Sequence, residues 1–205
     1  ILFDKLGYRD AELITPSNDT SYADLAGDKS QRFRINAWKG FVAFDYIRKL
    51  YRETRPYELH KGESEAVYRR AMKKAESSIE NNCKGLRGIL VETASEFTAV
   101  ETDRSQRKPV IAVLGEIFMR DNATCNGNIA NRLEAMGAEV LVGPFSEWIT
   151  YSTHRYTRDS RWKNDTKGLI KSKIQGIGQE VIVDYLLRGI KKVSDTSKDV
   201  SLHEI

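Results

Sequence analysis

Cysteine is nearly absent: the chain of 205 residues has 2, Cys83 and Cys125. That excludes a disulfide-built scaffold. It also excludes a four-cysteine zinc or iron–sulfur site assembled from this chain alone. The two stand far apart in sequence, so a reducing, cytoplasmic location is the simplest expectation. The 3 histidines, His60, His154 and His203, are too widely spaced for a local histidine motif. With 14 glycines and 4 prolines, collagen-like and low-complexity classes are excluded. No run approaches the roughly 18–20 apolar residues of a membrane helix, and the first residues lack a signal-peptide pattern. Neither G-x-G-x-x-G nor G-x-x-x-x-G-K-[ST] occurs, so ATP binding by this chain on its own is not expected. The chain starts at Ile1, and the expectation is a domain cut from a longer protein.

What is present is ordinary globular composition, 40% hydrophobic and 30% charged, with a net charge of +4. Residues 1–15 read as a helix stopped by Gly7 and then a strand over 11–15. A turn-rich loop, 16–21, leaves that strand. Residues 36–53 read as a helix capped by Asn36 and apolar on more than one face. Arg55-Pro56-Tyr57-Glu58 breaks it. Two further helices are predicted over 63–81 and about 84–101, then a polar link from Asp103 to Lys108.

The pattern then changes. The continuous apolar run Val110–Leu114 suits a parallel strand buried on both faces. A loop of about ten residues, a helix near 126–136 and a strand over Glu139–Val142 complete a β-loop-α-β unit. Phe145 opens another helix. Residues 166–193 read as a long helix in which Gly176 and Gly178 mark a kink or close packing, and 194–205 as a polar frayed tail.

Chemistry is sought first in the loop after the first strand of that unit. In open α/β sheets, ligands bind beyond the carboxyl ends of strands. Glu116 and Arg120 place opposite charges there, and Asn122, Asn126 and Asn128 add amides. The competing account makes Glu116 and Arg120 a structural pair and the asparagines turn and cap residues. Cys125, read as the start of a helix, is either a thiol of lowered pKa or a small half-buried residue. Cys83 reads as packing. Asp45, inside an apolar helix, needs a partner, and Arg48 or Arg55 could supply it. Residues 151–173 carry seven basic side chains against Asp159 and Asp165, interleaved with Tyr151, Tyr156 and Trp162. They could grip phosphates, but a solvated helix surface is the commoner explanation.

Several segments taken together carry a resemblance. They are Ala37-Trp38-Lys39-Gly40 with Asp45, and Arg55-Pro56-Tyr57-Glu58 with Gly62. The third runs from Pro109 to Glu134 and contains Gly115-Glu116-Ile117-Phe118-Met119-Arg120-Asp121-Asn122 and Asn126; Pro144-Phe145-Ser146-Glu147-Trp148 and Tyr151 extend it. The chain resembles, over about residues 1–190, the interior domain of 2-hydroxyacyl-CoA dehydratase and CoA-substrate-specific enzyme activase-related iron–sulfur proteins. The resemblance implies Rossmann-like or flavodoxin-like lobes around a cysteine-bound iron–sulfur cluster. It also implies an ATP-hydrolysing activator, of the fold shared by sugar kinases and actin, that donates a low-potential electron. Relatives dehydrate 2-hydroxyacyl-CoA or reduce an aromatic ring, in anaerobic metabolism. The cluster cysteines are expected outside this chain, in the full-length protein. Glu116, Arg120, Asn122 and Asn126 match the shared loop, and the resemblance gives them no fixed role.

The expected fold is α/β: a Rossmann-like or flavodoxin-like, mostly parallel sheet with flanking helices and a helical insertion at about 36–104, in one domain spanning 1–193. Glu116, Arg120, Asn122 and Asn126 are the ligand-facing candidates, with Asp45, Arg55 and Glu58 secondary. No catalytic residue and no metal ligand is assigned, and no cofactor is expected for this piece alone. The expected partners are the remaining domains of a parent protein and an ATP-hydrolysing activator, with no membrane. The alternatives are a binding module for a phosphorylated ligand such as CoA and, less favoured, a nucleic-acid-binding domain.

Overall fold

A computed structural model describes Lys5, Gly7, residues 29–188 and Ile190. The strand expected at 11–15, the loop at 16–21 and the tail at 194–205 lie outside the described residues. The chain divides into two compact units, 1–37 and 38–205. In the first, Gly7 has φ 85°, as suits a helix stop. All that follows concerns the second, apart from the first turns of α1.

Helix α1 spans Ser30–Thr54. It begins earlier than expected, so Asn36 is an interior position and not a cap. The reason is local: 30–35 contains neither glycine nor proline to stop a helix. Pro56 ends it, in a 3-10 turn over Arg55–Tyr57 that tolerates a proline in its first positions. Helices α2 (Glu63–Glu80) and α3 (Leu86–Ala99) follow. Gly62, at φ 94°, gives α2 its left-handed entry. Apolar side chains at helical spacing close a shared core. It includes Trp38, Ile47 and Leu50 of α1, Val67, Ala71 and Ala75 of α2, and Leu86, Leu90 and Phe97 of α3.

Beyond the polar link, strand β1 (Val110–Val113) pairs in parallel with β2 (Glu139–Val142), Val110 opposite Glu139 and Val113 opposite Val142. A short helix α4 (Ile117–Asp121), a turn and helix α5 (Ile129–Ala135) connect them. The expected loop therefore holds a helical turn, and its main helix starts later than 126. After Gly143-Pro144, α6 (Phe145–Trp162) and α7 (Thr166–Leu187) pack against each other, and α7 also packs on α3. Leu186 joins the large core. Helix α7 ends before 193. Gly176 makes only ordinary contact with Thr153, and Gly178 touches nothing. The tight glycine is Gly168, against Ser160 and the capping residue Asp165, whose carboxylate accepts the Gly168 N–H at 3.0 Å.

The described part is mostly helical, with one two-stranded parallel sheet, an α/β arrangement. The strand expected to be buried on both faces is not: Val110 is 56% exposed, and Ile111 and Leu114 are exposed too. A continuous apolar run states what a strand could bury, not what covers it. Only Ala130, Ala138 and Val140 form the buried centre of this unit. Among the described residues no helix is long and apolar enough to cross a membrane.

Candidate functional site

Parallel pairing brings the carboxyl ends of β1 and β2 side by side, so the loop opening at Leu114 and the turn at Gly143-Pro144 leave the same sheet edge. After β1, exposed Glu116 caps α4 by accepting the Met119 N–H at 3.0 Å. Asn122 Oδ1 accepts from the N–H groups of Thr124 and Cys125 at 3.0 and 3.1 Å. Asn126 Nδ2 donates to the carbonyls of Met119 and Arg120 at 3.0 and 2.9 Å, and its Oδ1 accepts from Ile129 N–H at 3.3 Å. Both asparagines are engaged with loop backbone, which is what their tendency to form side-chain turns favours.

Arg120 leaves the loop. Its side chain is only 9% exposed, and it donates to the Pro144 carbonyl at 2.7 Å and to Glu147 Oε2 at 3.5 Å. The guanidinium lies over Gly143, where a Cβ would stand 2.8 Å from Nη1. Arg120 thus ties the end of β1 to the start of α6; it is not the partner of Glu116. Asp45 is likewise not paired with an arginine. Its two oxygens accept the N–H groups of Phe145 and Ser146 at 3.0 and 2.7 Å, donors that a helix start leaves without an internal partner. Phe41 stacks on Phe145 at 4.5 Å, holding the two helices in that register. Arg48, freed from Asp45, pairs with Asp121.

Asp45, Arg48, Arg120, Asp121 and Glu147 therefore converge at the sheet edge. A neighbouring set surrounds Glu134 of α5. Arg55 Nε donates to it at 2.6 Å, and the same guanidinium reaches Tyr51 Oη and Asn131 Oδ1, both at 2.7 Å. Arg52 stands 3.8 Å away. Burial works against the charge of Arg55, yet Glu134 and Tyr51 hold its pKa above the ordinary arginine value. For Arg52, burial and the neighbouring Arg48 outweigh Glu134 and push it down. Among the described residues, the buried polar atoms without a hydrogen bond are Arg52 Nη1, Glu134 Oε1, Arg120 Nε and Asp121 Oδ2. They face each other as two long ion pairs, at 3.8 and 3.9 Å.

Glu58 stands apart from both sets. Buried, it accepts from Gly62 N–H at 3.0 Å, Ser64 N–H at 2.9 Å and Ser64 Oγ at 2.5 Å, so it caps α2. Burial raises its pKa, but these hydrogen bonds prevail and hold it below the usual carboxylate value.

Of the candidates, then, Asp45 and Arg120 each bind the start of α6, Arg55 lies in the adjoining set, Glu116, Asn122 and Asn126 shape the loop, and Glu58 is elsewhere. Sequence reasoning missed Asp121, Glu134, Glu147, Arg52 and Gly143. One signal was present: Arg48, Arg52 and Arg55 recur at i, i+4 and i+7, a basic row on one side of α1.

Cys125 lies exposed in the turn before α5, not at a helix start. Cys83 packs against the large core, and burial pushes its thiol pKa up. Among the described residues no three His, Cys, Asp or Glu side chains gather as a metal site. The residues present do not fit the ligand set of the implied iron–sulfur cluster. In the basic stretch, Arg155 and Arg158 are exposed and share Asp159, at 3.8 and 3.5 Å. A shallow cleft of about 460 Å³ is lined by Lys39, Cys83, Arg87 and Tyr185 and by none of the candidates. The chain matches no family model, no curated protein and no solved structure.

Proposed function

We propose that this chain is an interior α/β domain of an iron–sulfur protein of the 2-hydroxyacyl-CoA dehydratase and CoA-enzyme activase type. It provides scaffold and a polar rim for ATP-driven low-potential electron transfer or dehydration. The cluster is held by other parts of the parent protein, and an ATP-hydrolysing activator supplies the electron. In this proposal the sheet is Rossmann-like or flavodoxin-like, with β1 and β2 as two of its strands and the exposed face of β1 covered in the larger sheet.

One observation carries the proposal: the segments that bear the resemblance meet at one sheet edge, through Asp45 to α6, Arg48 to Asp121 and Arg120 to Pro144. Ligands in α/β sheets sit at that edge. The work of these side chains is positional. Asp45 fixes the start of α6, and Arg120 locks the loop after β1 against it. Both oxygens of Asp45 are engaged, and the one unengaged donor of Arg120, Nε, is buried, so the domain presents a rigid rim.

Anaerobic iron and sulfide reconstitution of the full-length parent tests this. Cluster absorbance is expected in the parent. Arg120→Met in the parent is expected to keep that absorbance while lowering turnover at least about tenfold, since a positioning group acts through geometry. A parent without cluster absorbance, or an Arg120→Met parent of unchanged turnover, overturns the proposal.

A further inference from the structure

Helix α7 is apolar on two opposite sides. The inner side, with Ser172 and Leu186 buried, faces α6 and α3. The outer side carries Ile170, Ile174, Ile177, Val181 and Tyr185, at steps of four, three, four and four residues, which is one straight stripe on a helix. These five are between 54% and 65% exposed. Gly178 falls on the same stripe, and a Cβ there would meet nothing within 4 Å. Glycine is among the poorest residues for a helix interior, and nothing within the described chain makes use of its missing side chain.

Apart from Arg188 at the end of the helix and Arg87 over the Tyr185 ring, the charges flanking the stripe are polarised along it. Lys167, Lys171 and Lys173 occupy the first half, Glu180 and Asp184 the second. Among the described residues none of these five has an ion-pair partner; the ion pairs nearby join Arg155 and Arg158 to Asp159. A stripe that runs from positive to negative complements itself when a second copy lies antiparallel. One register brings most of these features together, with Lys167 level with Arg188 of the other copy as the one like-charge match. Ile170 faces Tyr185 of the other copy, Ile174 faces Val181, and Ile177 seats over Gly178, where the absent side chain lets the helices approach. Lys173, Glu180 and Asp184 share one flank, and twofold antiparallel pairing sets like flanks together. Lys173 of each copy then lies level with the gap between the other's Glu180 and Asp184. Covering five side chains on each of two copies removes on the order of 1,000 Å² from water, the size of a weak, reversible interface.

We propose that the chain self-associates as an antiparallel twofold dimer through the outer face of α7. The proposal does not depend on the function argued above. Sedimentation equilibrium of the 205-residue chain tests it. The expected result is a dimer that becomes monomeric in Ile174→Glu/Ile177→Glu. Helicity should be unchanged, because both side chains are exposed. Lys173→Glu, and separately Glu180→Lys/Asp184→Lys, are expected to raise the dimer dissociation constant about tenfold each, and the three together to restore it. As a check independent of those variants, Ile170→Cys with Tyr185→Cys in a Cys125→Ser background forms a covalent dimer on oxidation, while either cysteine alone does not. A monomeric wild type, a dimer indifferent to glutamate on the stripe, a triple charge variant no better than its parents, or cross-linking by Ile170→Cys alone each overturns the proposal.

Discussion

The helical region and the β1–α4–α5–β2 unit are held together by different forces. The first closes over a broad apolar core drawn from α1, α2, α3 and Leu186. The second buries only Ala130, Ala138 and Val140, and leaves much of β1 exposed. It is fastened to the first by polar contacts: Arg48 to Asp121, Arg55 to Glu134, and Tyr57 Oη donating to Glu139 at 2.8 Å. Apolar burial does not depend on charge screening or protonation; partly buried ion pairs do. One region should therefore melt as a body, and the other should loosen first.

The largest effect is expected from the apolar core. Leu90 and Val140 are equally inaccessible, both at 0%. Leu90→Ala is expected to lower unfolding free energy by about 2–5 kcal/mol in urea titration. Val140→Ala is expected to cost about 1–2 kcal/mol, because less is removed and a thin layer collapses more readily around the gap. Equal costs would break the contrast between the two regions.

Next comes Glu134, whose side chain is 8% exposed and which is the acid facing both Arg52 and Arg55. Glu134→Gln is expected to cost about 2–3 kcal/mol, less than a fully buried pair because Arg55 keeps some access to water. Amide exchange should rise in α5 and β2 and stay unchanged in α2 and α3. Asp45→Ala follows, at about 1–2 kcal/mol, with fraying confined to the first turn of α6. Exchange rising equally across the molecule in either variant would show that the two regions unfold as one.

What was legible in the sequence follows the same division. The helices over 63–81 and 84–101 were readable to within a few residues, because their apolar positions repeat every three to four and glycines precede them. The parallel strands were readable as strands, but the exposure of β1 was not, since coverage depends on elements far away in sequence. The site was half legible. Strand order pointed to the loop at 115–128, yet the partners of Arg120 and Asp45 come from a helix start 24 to 101 residues away. Asp45 looked like half of an ion pair because an acid in an apolar helix demands a cation. Nothing in the one-dimensional pattern shows that two free backbone N–H groups can meet the same demand.

Acid sharpens the comparison from another side. The carboxyl of Glu58 is held below its usual pKa, so the unfolded chain binds its proton first as pH falls. Its stabilisation is complete above the ordinary carboxylate range, declines as pH drops through that range, and is gone below the lowered folded value. Glu53 has the opposite sign: burial pushes its pKa up against Lys49, so its ionisation opposes folding at neutral pH and that penalty fades on acidification. Glu58→Gln is expected to flatten the acid limb of a stability–pH curve, and Glu53→Gln to steepen it. The same slope in both variants would contradict these environments.

The smallest effects are expected within α7, where two glycines sit in different surroundings. At Gly168 a methyl group would run into Ser160 and the Asp165 carboxylate that caps the helix, so Gly168→Ala is expected to lose about as much as a cap contributes, ~1 kcal/mol. At Gly178 a methyl group meets open space, so Gly178→Ala is expected to gain about 0.5–1 kcal/mol through helix propensity and a less free unfolded chain. Thermal melting should register this as a rise of about 2–4 °C in dilute solution. The gain should shrink as protein concentration increases, because the added methyl group stands where Ile177 of a second copy would seat. A gain that is the same at every concentration would mean that this glycine faces only water.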